Sequence, residues 1–91
     1  MGARTEVSWK AKAEDGTRRE VYARRIGLQW KFFVRERRFD NWKPLPSPPL
    51  EDWLSLLDSV RRRVGRRLFR PEEEDRLVRT IRGLFPEVEI E

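Results

Sequence analysis

Two groups of residues in this 91-residue chain have the types and spacing to grip a polyanion. The first is the run RRRVGRR, Arg61 to Arg67, which sets five guanidiniums in seven positions. A guanidinium is a planar fork of donors that matches phosphate bidentately. The second group is spread along the first half of the chain: Lys10, Lys12, Tyr22, Arg24, Lys31, Phe33, Arg35 and Arg37. Cations attract a phosphate backbone, and aromatic rings set among them offer stacking platforms for bases.

Neither group carries the means for catalysis. The chain has no histidine and no cysteine, which removes the commonest general base, the usual zinc ligands, thiol nucleophiles and disulfides. Its five glycines, at 2, 16, 27, 65 and 83, are too scattered for a phosphate-cradling loop, and DGTRRE lacks the spacing of a calcium loop. The acids of EEED, residues 72–75, could collect a divalent cation loosely, yet acids at a helix start need no ion to explain them. The expectation is a non-catalytic binding domain with no metal, cofactor or small-molecule substrate.

Charge supports binding without naming a partner. The net charge is +5, and it is uneven: residues 1–43 hold twelve basic against six acidic residues, residues 44–91 nine against ten. Seventeen of the 21 basic residues are Arg, which suits surface ion pairing as well as phosphate recognition. No apolar run approaches the roughly 20 residues that span a bilayer. MGARTEVSWK lacks the apolar middle of a secretory signal, and Glu6 stands where a myristoylation motif wants Ser or Thr. These features predict a cytoplasmic protein with no membrane partner.

The elements that position these residues follow from periodicity. In TEVSWKAKA, Val7, Trp9 and Ala11 share one side, and Ser8, Lys10 and Lys12 the other. Asp15-Gly16 signals a hairpin turn. Val21 and Ala23 continue the apolar side while Tyr22 and Arg24 point away, and Gly27 breaks the run. In LQWKFFVRER, Leu28, Trp30, Phe32 and Val34 alternate with Gln29, Lys31, Phe33, Arg35 and Arg37. This predicts a three-stranded antiparallel meander over residues 4–38 with one buried face.

Residues 39–48 read as a Pro-rich crossover, since prolines 44, 46 and 48, with Pro49 next, lack ladder donors. Two helices are predicted over 49–85. The first has Ser47 as a cap, a stripe of Leu50, Trp53, Leu54, Leu57, Val60 and Val64, and Gly65 as a left-handed terminator. The second opens with Pro71 and four acids, carries Leu77, Val78, Ile81, Leu84 and Phe85, and is closed by Pro86. EVEIE, within 86–91, is an acidic tail or a short fourth strand. The whole reads as one α+β domain, 1–91, with the helices packed on one sheet face. Trp9, Trp30, Phe32, Trp53, Leu57 and Ile81 are the expected core.

Placed on these elements, RRRVGRR is first a helix end and only second a phosphate grip. Cations stabilise a helix C-terminus, and Asp58 to Arg61 and Arg62, Glu72 to Arg76 and Asp75 to Arg79 have ion-pair spacing. The outward sheet face is the sharper candidate. A solvated face with aromatics packed on arginine stems accounts for the same residues, Glu20 and Glu36 interrupt its charge, and a tail strand would bring Glu87, Glu89 and Glu91 beside it. KPLPSPP has the spacing of a basic P-x-x-P ligand, but a rigid crossover explains it equally. Trp42 and Trp53, flanking that loop, are expected as a lid over the core. Nucleic-acid association through the sheet face is the leading expectation. The alternative is a protein-interaction or homodimer module using the sheet edges or the crossover.

Overall fold

The alternation of apolar and polar side chains produces strands in the computed structural model, which describes residues 6–12 and 15–90. β1 (Glu6–Lys12), β2 (Arg18–Ile26) and β3 (Gln29–Arg35) pair antiparallel in chain order, and a short β4 (Lys43–Pro44) adds to the free edge of β3. Two helices follow, α1 (Leu50–Gly65) and α2 (Pro71–Leu84), completing an α+β fold. The predicted sheet start at residue 4 lies outside the described residues. Sheet and helices fall into two compact units, residues 1–48 and 49–91. Among the described residues no helix is long and apolar enough to cross a membrane.

In the sheet unit the register sets Val7 opposite Ala23 and Ala23 opposite Phe32. These three and Val21 are buried, so the centre of the apolar face is a dry row. Trp9 meets the Phe32 ring edge-on at 6.0 Å. Trp9 and Trp30, both expected in the core, are half-buried. Trp30 pairs with Arg25 one step from the β2–β3 turn, where the apolar face runs out.

Both hairpins are built by their turn residues. Asp15 Oδ1 accepts a hydrogen bond from the Thr17 amide at 2.9 Å, and Gly16 takes φ +86°. Bonds from the Thr17 hydroxyl, and then from its amide, hold the Asp15 carboxyl below the usual aspartate range. Between β2 and β3 the loop is Gly27-Leu28, with positive φ at Gly27 alone among the two, the pattern of a type II′ turn. Leu28 therefore belongs to the turn, 71% exposed, and not to the apolar face assigned to it from alternation.

β4 comes from the segment read as a crossover. Pro44 pairs with Phe33, and the Leu45 amide donates to the Phe32 carbonyl at 2.8 Å. Proline is tolerated there because an edge strand leaves one row of amides unpaired anyway. Residues 86–90, in contrast, form no strand. Val88 donates its amide to Phe85, and Arg82 donates a guanidinium hydrogen bond to the Ile90 carbonyl at 3.2 Å. Residues 86–90 are thereby folded back toward α2, and Glu91 lies outside the described residues.

In the helical unit, Trp53, Leu56, Leu57 and Val60 of α1 and Leu77 and Ile81 of α2 are buried, with Phe69 of the connection. The α1 stripe thus runs through Leu56 (0% exposed) rather than Leu54 (37%). Asp52 and Ser59 are buried with it, and among the described residues no buried side-chain nitrogen or oxygen lacks a partner. α1 begins without a side-chain cap: Pro49, not Ser47, is the cap residue, and its carbonyl accepts from the Asp52 and Trp53 amides. α2 opens with Pro71 at its first turn beside Glu72, Glu73 and Glu74, as the sequence predicts.

The end of α1 differs from expectation. Gly65 is its last helical residue, and the left-handed backbone falls on Arg67, φ +62°. The Leu68 amide donates to the Arg63 carbonyl at 2.8 Å and the Arg67 amide to the Val64 carbonyl at 3.0 Å. That pair of bonds is the Schellman motif with arginine at the position glycine usually fills.

Candidate nucleic-acid interface

Side chains alternate along a strand, so the register decides which residues share a face. Glu6, Arg24 and Lys31 form one cross-strand row; Ser8, Tyr22, Phe33 and Pro44 the next; Lys10, Glu20 and Arg35 the third; Lys12 and Arg18 the fourth. Lys10, Lys12, Tyr22, Arg24, Lys31, Phe33 and Arg35 therefore lie on one face, as the sequence predicts. Arg37 does not join them in the ladder, because β3 ends at Arg35. Its amide donates to Asp40 Oδ2 at 3.1 Å while the Asp40 amide donates back to its carbonyl. A carboxylate-clamped turn has replaced the last two strand residues.

At the middle of the face the aromatic residues gather. Tyr22 and Phe33, direct cross-strand neighbours, stack with centroids 4.8 Å apart and planes 16° from parallel. Trp42 meets Tyr22 edge-on at 4.7 Å. The Arg35 guanidinium sits 4.3 Å above the Trp42 ring and donates from Nε to Glu20 Oε1 at 2.7 Å. Trp42 is thus part of the cationic face, not a lid over the core. Tyr22, Phe33 and Trp42 are all half-buried.

The charges around the rings are unequal. Lys10, Lys12, Arg18, Arg24, Lys31 and Arg35 stand against Glu6 and Glu20, six cations to two carboxylates on the ladder. Glu20 is taken up by Arg35. Glu6 lies 3.7 Å from Arg24, with both side chains about half exposed, so that pair contributes little. Lys10, Lys12 and Lys31 are exposed and take part in no ion pair among the described residues.

Arg18 and Trp42 are the residues that sequence reasoning missed. Arg18 was within reach, since counting back by twos from Tyr22 through Glu20 lands on it. Trp42 carried no such signal: it precedes β4, which is two residues long and half proline.

The arginine run is a helix end. Arg61 reaches across to Glu74 of α2 at 3.0 Å, and Arg62 pairs with Asp58 one turn back at 2.8 Å. On α2, Arg76 pairs with Glu73 at i,i+3 spacing, not with Glu72. Arg63, Arg66 and Arg67 form no ion pair among the described residues. Among the described residues no three carboxylates gather to hold a metal ion, the EEED segment included. Compared with known proteins, the chain matches no family model, no curated protein and no solved structure.

Proposed function

We propose that this chain is a non-catalytic domain that binds nucleic acid on the outward face of its sheet. One observation carries the proposal: a half-buried three-ring cluster of Tyr22, Phe33 and Trp42 sits on a face with six cations and two carboxylates, both of the latter beside arginines. Cations alone describe solubility. Rings alone describe packing. Interleaved and only half-buried, they match the two chemistries a nucleic acid offers, phosphate charge and base surface. The cytoplasm is the compartment this reading implies.

The distribution of ion pairs favours some cations over others as phosphate contacts. Arg35 is held by Glu20 and Trp42, so its role is to orient the tryptophan. Lys10 and Lys31, one in the row on each side of the aromatic row, are the phosphate-contacting candidates. Binding of labelled oligonucleotides should weaken as salt rises, with log–log slopes of about −0.9 per phosphate contacted on duplex and about −0.7 on single strands. The Lys10→Ala/Lys31→Ala double variant should flatten that slope by about two contacts and weaken all sequences alike. Arg62→Ala/Arg63→Ala should leave it unchanged. If the arginine-run variant loses binding and the lysine variant keeps it, the surface is misassigned. If wild type shows no salt-dependent binding, a protein-interaction or homodimer module takes its place.

A further inference from the structure

We infer that the sheet face takes single-stranded nucleic acid in preference to duplex, with bases stacking on the Tyr22–Phe33–Trp42 cluster. The inference rests on the nucleic-acid reading above and adds which form is bound. It follows from where the rings stand and how wide the sheet is.

Tyr22 and Phe33 belong to the two inner strands, and Trp42 immediately precedes the edge strand β4. The three long strands separate the outer strand axes by roughly 10 Å before any side chain is added, and the two-residue β4 widens the sheet only beside Phe33 and Val34. The major groove of B-DNA is about 12 Å wide and admits a helix or a two-stranded ribbon. A face of three or more strands is broader than the ribbon that an undeformed groove admits. The central rings therefore meet base edges only if the duplex is bent and its groove widened, which costs deformation energy. The π faces of duplex bases are covered by their neighbours in the stack. An undeformed duplex would meet the exposed cations and not the rings.

A single strand removes both obstacles, because its bases can be splayed onto aromatic side chains. The cation rows then have a use. Lys31 and Lys10 lie in rows two residues to either side of the aromatic row, roughly 7 Å away along the strands, where phosphates flanking a stacked base would run. Arg35, stacked on Trp42 and bonded to Glu20, fixes the ring without adding a free charge that favours any polyanion.

The test compares a 15-nucleotide oligo(dT), a duplex of equal length and heparin, each titrated against wild type, Trp42→Leu and Phe33→Leu at one salt concentration. Leucine keeps apolar bulk but has no π face. Wild type should bind oligo(dT) at least tenfold more tightly than duplex or heparin. Each leucine variant should weaken oligo(dT) binding by about 5- to 150-fold, in line with the loss of one base–aromatic stack, and leave duplex and heparin binding unaltered. Equal wild-type affinity for oligo(dT) and duplex overturns the single-strand preference while leaving nucleic-acid binding intact. Equal affinity for heparin and oligo(dT) overturns any role for bases. Absence of binding to all three removes the underlying function as well. The wild-type comparison decides the matter even if a leucine variant fails to fold.

Discussion

Arg67 carries the left-handed backbone that ends α1, while Gly65 spends its conformational freedom inside the helix. Each residue is therefore less suited to its position than the other type would be. A Cβ at Gly65 meets nothing within 4 Å, so Gly65→Ala should raise stability by about 0.5–1 kcal/mol. Arg67→Gly should also stabilise, by about 0.5–1 kcal/mol, since relief of a non-glycine left-handed residue outweighs the added freedom of the unfolded chain. Urea denaturation of the two variants checks both signs; a loss of stability in Gly65→Ala would place the helix end at Gly65. The sequence made Gly65 look like the terminator because glycine is the usual occupant of that position. What it could not reveal is that the Schellman bonds close two residues later, on Leu68 and Arg67. Trp42 was hidden for a related reason, as its contacts with Tyr22 and Arg35 depend on a chain reversal between Arg37 and Asp40.

At the scale of elements, period-two alternation was a sufficient guide wherever a strand had at least seven residues. β1, β2 and β3 formed with the faces that alternation assigns, and seven of the eight candidate binding residues fell on one surface. It failed at strand ends. Leu28 and Arg37 continue the alternation but belong to turns, where Gly27 and Asp40 set the backbone. It failed also for β4, because two residues have no period and Pro44 argues against a strand. Burial sorts the aromatic residues in energy as well. Phe32 is 4% exposed at the centre of the apolar row, so Phe32→Ala should cost about 3–5 kcal/mol. Trp30, half-buried near the β2–β3 turn, should cost under about 2 kcal/mol on truncation. Thermal or urea unfolding of the two variants measures the order; the reverse order would move the centre of the sheet core toward the hairpin.

For the molecule as a whole, the uneven charge seen in the sequence has two different uses. The +5 excess arises in the first half, where exposed lysines surround the aromatic cluster. In the second half the nine arginines face ten acids, and pairs such as Arg61–Glu74 and Arg62–Asp58 hold helices together or decorate them. Nucleic acid should accordingly recognise the sheet and ignore the helices. The most direct check is a two-dimensional amide and indole NMR titration of the protein with oligo(dT). Perturbations should concentrate at Lys10, Tyr22, Lys31, Phe33 and the Trp42 indole, with Arg61 through Arg67 unmoved. Perturbations confined to Arg61–Arg67, with the sheet face silent, would contradict the account.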